Sequence, residues 1–158
     1  MACAFSEVNQ ESSISVDTAA KDNMQLGLAY LEQKDTIHAK EKILMALHQA
    51  PDDSEIQDTM GYFSDLTGDE IKAEKYYQAA IKKGIEHNGA AYNNYGVFLC
   101  KHKNPKDAEK MFLMAVNDPY YVHITTAYEN AGLCAIANHD TQKAHDYFEK
   151  AKRYSLYG

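Results

Sequence analysis

The sequence predicts an all-α fold, a superhelix of four stacked helix-turn-helix repeats. Three observations carry this. Gly27, Gly61, Gly96 and Gly132 recur at spacings of 34, 35 and 36 residues, each inside a segment of helical periodicity. Twelve residues after each glycine an Ala opens the same small set: Ala39/Ile43/Ala46, Ala73/Tyr77/Ala80, Ala108/Phe112/Ala115 and Ala144/Phe148/Ala151. Turn and cap residues fall between the paired helices in the same register: Gln33-Lys34-Asp35, Thr67-Gly68-Asp69, Lys103-Asn104-Pro105 and Asn138-His139-Asp140. A period of about 34 residues with Leu-Gly, Tyr, Ala, aromatic, Ala and Pro in that order is the tetratricopeptide (TPR) pattern.

Each element follows from local chemistry. Residues 1–18 are polar, Ser-rich and aperiodic, which predicts a flexible leader and tether ahead of a TPR domain over 19–158. Repeat one, about 20–53, has Leu26, Gly27 and Tyr30 on its first helix and Pro51 as its stop. Repeat two, about 54–88, opens with Ser54 and Gln57 at capping-box spacing and has Ser64 where the pattern expects Tyr. Repeat three, about 89–124, carries Tyr92, Tyr95-Gly96, Leu99 and Pro119; repeat four, about 125–158, carries Tyr128, Gly132 and Ala135. Asp69 and Asp140 are suited to cap helices, as is Asn104 with Pro105 at the first helical position. A glycine inside a helix costs about 1 kcal/mol relative to alanine, so these four are expected where two helix backbones approach closely. No capping helix follows Ala151. A terminal repeat needs a polar outer face or cap, so the array is expected to be part of a longer one, or covered by another copy.

Composition narrows the function. The net charge is −7, the wrong sign for a nucleic-acid footprint of clustered Lys and Arg, and no nucleic-acid partner is expected. No apolar run approaches the roughly 20 residues of a membrane span. Glycine-rich phosphate loops, His-Glu-x-x-His helices and nucleophile elbows are absent; a non-enzyme with no cofactor and no metal site is expected. His139 and His145 are six apart and do not share a helix face, so they read as surface residues. The three cysteines, Cys3, Cys100 and Cys134, are odd in number and lack short spacing, which argues against a disulfide framework and a zinc site. Cys100 and Cys134 fall on the first helices of neighbouring repeats and read as buried thiols acting as small hydrophobes. A disulfide between them needs Cα atoms within about 7 Å, which adjacent first helices rarely allow.

The concave face of such an array is lined by first helices and usually holds another protein. The repeat register places Met24, Leu28, Leu31, Asp58, Tyr62, Asp65, Asn93, Val97, Glu129 and Leu133 there. Met24, Leu28 and Leu31 have no packing duty in the pattern and predict an apolar patch, open to an amphipathic partner helix or covered by the leader or neighbouring first helices. No Lys/Arg/Asn cluster for clamping a terminal carboxylate is present.

Two segments carry a narrower likeness: Gly89-Ala-Ala-Tyr-Asn-Asn-Tyr-Gly-Val-Phe-Leu-Cys100 and Ala127-Tyr-Glu-Asn-Ala-Gly-Leu-Cys134, with Asp118-Pro119-Tyr120-Tyr121 between them. Together they resemble the PilF/PilW type IV pilus biogenesis lipoproteins of Gram-negative bacteria, over about 20–155. The resemblance implies a pilotin, a non-catalytic outer-membrane lipoprotein that helps the secretin channel localise and multimerise. It implies a secretin subunit as partner and maps the lipidated cysteine onto Cys3, behind the small residue Ala2, as the one membrane attachment. It also implies further repeats than these four. The alternative is a general TPR adaptor or co-chaperone with a different peptide partner.

Overall fold

The computed structural model describes the backbone of residues 4–84, 87–102 and 104–157, and within these the side chains of 16–156. The described residues form α-helices: α1 (Ala4–Glu32), α2 (Thr36–Gln49), α3 (Ser54–Leu66), α4 (Glu70–Lys83), α5 (Gly89–Lys101), α6 (Pro105–Val116), α7 (Ile124–Ala137) and α8 (Thr141–Tyr157). The order and lengths are those of an all-α TPR fold with four helix pairs. By its internal packing the chain divides into two compact units, one ending at Tyr76 and one beginning at Tyr77, with the boundary inside α4.

In the first unit, α1 packs on α2 through Gly27. A Cβ there would stand 2.6 Å from Ile43 Cγ1 and 3.3 Å from the Ala39 carbonyl, so only hydrogen fits. Ala39, Ile43, Met60 and Phe63 form one buried cluster, with Tyr30, Leu31, Leu47 and Tyr76 packed against it. Ala20, Met24, Ala46 and Ile56 form another. Lys21 ties α1 to the start of α3, its Nζ 2.9 Å from Asp53 and 2.6 Å from Glu55.

In the second unit the same contact recurs with larger partners. A Cβ on Gly96 would lie 2.7 Å from Phe112 Cε1, and one on Gly132 2.8 Å from Phe148 Cε1. Tyr77, Tyr95 and Phe98 form a chain of ring contacts with centroids 5.3–6.1 Å apart. At the start of α5, Asn88 spends its side-chain amide on the Ile81 and Gly84 carbonyls and makes no cap hydrogen bond. Asp118 replaces it from 29 residues away: its Oδ2 accepts from the Gly89 N–H at 2.7 Å. A Cβ on Gly89 would run into the Tyr121 ring. The Asp118–Tyr121 segment is thus a clasp on the α5 N-terminus.

Turn chemistry matches the register. Asp35, Asn104 and Asp140 each accept a hydrogen bond from the N–H three residues on, and so does Asp69. Lys34, Gly68 and His139 occupy the equivalent left-handed position, φ 62°, 81° and 62°. The paired bonds of a Schellman motif close two of these turns: His139 N–H to Ile136 O and Asp140 N–H to Ala135 O in one, Lys34 N–H to Leu31 O and Asp35 N–H to Tyr30 O in the other.

Three expectations differ from the structure. The aperiodic leader over 1–18 gives way to helix, because α1 begins at Ala4; no proline or glycine interrupts residues 4–26, and helix once nucleated by the packed segment propagates at little cost per residue. The capping box at Ser54 and Gln57 does not form. Asp53 is the cap, accepting from Glu55 and Ile56 N–H at 2.9 and 3.0 Å, while Gln57 Nε2 donates to the Pro51 carbonyl. Cys100 and Cys134 are not free thiols. They form a disulfide with Cα atoms 5.8 Å apart. Cys100 lies four residues beyond its repeat glycine and Cys134 two beyond its own; this offset lets them meet where equivalent positions would not.

Candidate functional site: the first-helix surfaces

The expected groove residues are of three kinds. In the first unit Met24 is 0% exposed and is core, wedged among Ala20, Ala46 and Ile56. Its placement in the protein-binding groove is corrected in favour of the alternative left open above, cover by a neighbouring first helix: Ile56 packs against it. Leu31 is half-buried against the Ala39/Ile43/Met60/Phe63 cluster, and Leu28 is half-buried. Asp58 is buried and Asp65 half-buried, while Tyr62 and its neighbour Leu66 are exposed. The apolar patch foreseen on α1 therefore does not form.

The open apolar surface lies on α5 and α7 of the second unit. Val97 is 44% exposed, Leu133 58% and Ile136 51%. Val97 and Leu133, with Cys100, Asn130, Cys134 and Ala137, border a recess of about 430 Å³. The disulfide forms part of its wall and ties α5 to α7. Asn93 is buried and reaches across: Asn130 Nδ2 donates to Asn93 Oδ1 at 3.0 Å. Glu129 is exposed at the edge. Ile136 and the disulfide were absent from the expected functional set. Ile136 was in fact at a groove position of the repeat register, and its β-branched side chain without a packing partner was the available signal; nothing in cysteine spacing signalled the bond.

Behind the second-unit helices runs a charged seam. Glu109 Oε2 accepts from Lys143 Nζ at 2.7 Å and its Oε1 accepts from the Tyr147 hydroxyl at 2.6 Å. These hydrogen bonds, Lys143 first, hold the Glu109 carboxyl below its ordinary range; burial and the same carboxylate push the Tyr147 hydroxyl well up. No helix among the described residues is long and apolar enough to cross a membrane. Cys3 lies outside the described residues.

This chain is 32% identical to an uncharacterized protein of Haemophilus influenzae over 125 residues, 78% of this chain and 69% of that protein. It is 29% identical over 137 residues to the type IV pilus assembly protein PilF of Pseudomonas aeruginosa, 87% of this chain and 54% of PilF. A solved structure of Pseudomonas aeruginosa PilF superposes at TM-score 0.82 with 28% identity, over 91% of this chain and 64% of that one. In sequence and fold the chain is similar to PilF, a type IV pilus assembly protein. PilW, described as a widely conserved type IV pilus biogenesis factor, shares the fold at TM-score 0.77 and 23% identity, over 84% of this chain and 60% of PilW. No family model matches the chain. The PilF/PilW likeness thus spans nearly all of this chain but only a little over half of PilF's length, and the first-helix surfaces of the second unit lie within it.

Proposed function

We propose that this protein is a non-catalytic scaffold of type IV pilus biogenesis that acts as a pilotin. It holds a segment of the pilus secretin against its first-helix surface and promotes localisation and multimerisation of that channel at the outer membrane. The observation that carries this is the superposition on Pseudomonas aeruginosa PilF, TM-score 0.82 over 91% of the chain. The Cys100–Cys134 bond supports an oxidising compartment such as the periplasm, since disulfides do not persist in a reducing cytosol. A lipid on Cys3 would supply the anchor at the periplasmic face of the outer membrane.

The α5/α7 recess is the preferred docking surface, because its apolar residues are exposed whereas Met24 is not. An amphipathic secretin helix would bury its apolar face against Val97, Leu133 and Ile136. The test is Val97→Asp and Leu133→Asp, introduced singly in cells carrying the pilus machinery. Both side chains are solvent-exposed, so helicity is expected to hold while secretin multimers fall at least tenfold. Normal multimers with both variants would remove the recess from the account. Pull-down from a membrane extract should recover secretin as the main partner; recovery of a different protein instead would favour a general adaptor.

A further inference from the structure

We propose that the open cleft between the start of α2 and the end of α3 binds an acidic peptide segment of a partner protein, one whose carboxylate side chain sits directly beside an apolar one. Thr36, Ile37, Lys40, Phe63 and Thr67 line this cleft of about 410 Å³.

The repeat register shows which group is missing there. In the second unit the residue after the first Ala of the α6 set is Glu109. It accepts from Lys143 and from the Tyr147 hydroxyl of α8 at 2.7 and 2.6 Å. Lys143 stands one residue before Ala144, the first Ala of the α8 set, and Tyr147 three after it. The same register positions in the first unit hold Lys40, Lys72 and Tyr76. Both donors are kept, and the acid they would serve is replaced by a second cation. Lys72 Nζ turns back on its own helix cap, 3.5 Å from Asp69, whereas Lys143 reaches across to Glu109. Asp69 also caps α4, and Asp35 is committed to the α2 N-terminus and to His38. Among the described residues neither the Lys40 amine nor the Tyr76 hydroxyl has a hydrogen bond or ion pair, and Tyr76 is half-buried against the Ala39/Ile43/Met60/Phe63 cluster. A carboxylate from outside the chain fits the position that Glu109 fills in the second unit.

The apolar half of the ligand follows from the same comparison. Two residues before the first Ala of each set stand Ile37 and Ile71, 78% and 86% exposed; the second unit has the polar Lys106 and Gln142 there. Exposed ion pairs contribute little by themselves, so a small free carboxylate is held weakly by these lysines. A peptide segment carries an apolar side chain next to its acid, and packing that side chain on Ile37 over the Phe63 wall removes apolar surface from water. The charge and the apolar rim thus specify an acidic peptide rather than a simple anion.

The experiment uses the intact, oxidised chain with methyl-labelled isoleucine. Two blocked peptides are titrated: acetyl-Gly-Leu-Glu-Leu-Gly-amide and its counterpart with Gln in place of Glu. Saturable shifts of the Ile37 methyl signal are expected with the first, and binding at least tenfold weaker with the second. Sodium acetate at the peptide's concentration should leave that signal in place. Lys40→Glu supplies the missing acid from the chain itself, so it should weaken the Glu peptide at least tenfold while the melting temperature holds or rises. On the unaltered chain, raising sodium chloride from about 50 to about 500 mM should weaken the Glu peptide at least fivefold through screening, which keeps the test informative should that variant not fold. Absence of a saturable shift with the Glu peptide, equal binding of the Gln peptide, a shift by acetate at the peptide's affinity, salt-independent binding, or unchanged binding in a folded Lys40→Glu would overturn the proposal.

Discussion

One added methyl group separates a tolerated residue from a damaging one along the helix seams. On an exposed helix, Gly→Ala gains about 1 kcal/mol. At Gly96 the new Cβ would sit 2.7 Å from the Phe112 ring, and forcing extra volume into a packed contact costs about 1–3 kcal/mol. Packing outweighs propensity, so Gly96→Ala is expected to lower stability by about 1 kcal/mol in urea melts; a gain would refute the close approach. The turns make the opposite case. Gly68 takes the left-handed backbone freely, whereas His139 takes it at φ 62° with a side chain, which costs an L-residue about 1 kcal/mol. His139→Gly should therefore raise the denaturation midpoint, and Gly68→Ala should lower it, since nothing within 4 Å of Gly68 compensates.

At the scale of elements, what was readable is what depends on neighbours a few residues away. Second-helix Ala/aromatic/Ala sets, caps at Asp69, Asn104 and Asp140, and turn positions are local patterns, and the helices start and stop where those patterns place them. What was not readable depends on distant partners. Met24 looked free within its own repeat, yet Ile56 of the next first helix buries it. Asp118, between α6 and α7, caps α5 across 29 positions. The α5/α7 disulfide closes a separation of 34 residues, for which loss of loop entropy from the unfolded chain predicts about 3–4 kcal/mol of stabilisation. Cys134→Ser should lower stability by that order, measured without reductant. The α6/α8 link predicts a pH effect. Hydrogen bonds from Lys143 and Tyr147 depress the Glu109 carboxyl in the folded chain. A depressed carboxyl contributes stability that is present above its unfolded value, about 4.3, and is lost as pH falls through the lower folded one. Glu109→Gln should thus cost stability at pH 7, with the difference from the parent chain vanishing on acidification below about pH 4.

For the whole molecule, the division at Tyr76/Tyr77 matters because repeat proteins are stabilised largely by nearest-neighbour contacts. The disulfide belongs to the second unit alone. Reduction with a dithiol should therefore speed amide exchange in α5, α6 and α7 and leave α2 and α3 unchanged; equal acceleration in both units would show that they unfold as one cooperative block. The bond has a topological consequence as well. Residues 100–134 form a closed covalent ring that contains all of α6 and the clasp at Asp118–Tyr121. A single protease cut inside that ring leaves both pieces of the chain joined. A nicked molecule would migrate as one species on a non-reducing gel and fall into two fragments only after reduction, so an exposed loop such as Tyr120–Val122 can be severed without the chain coming apart.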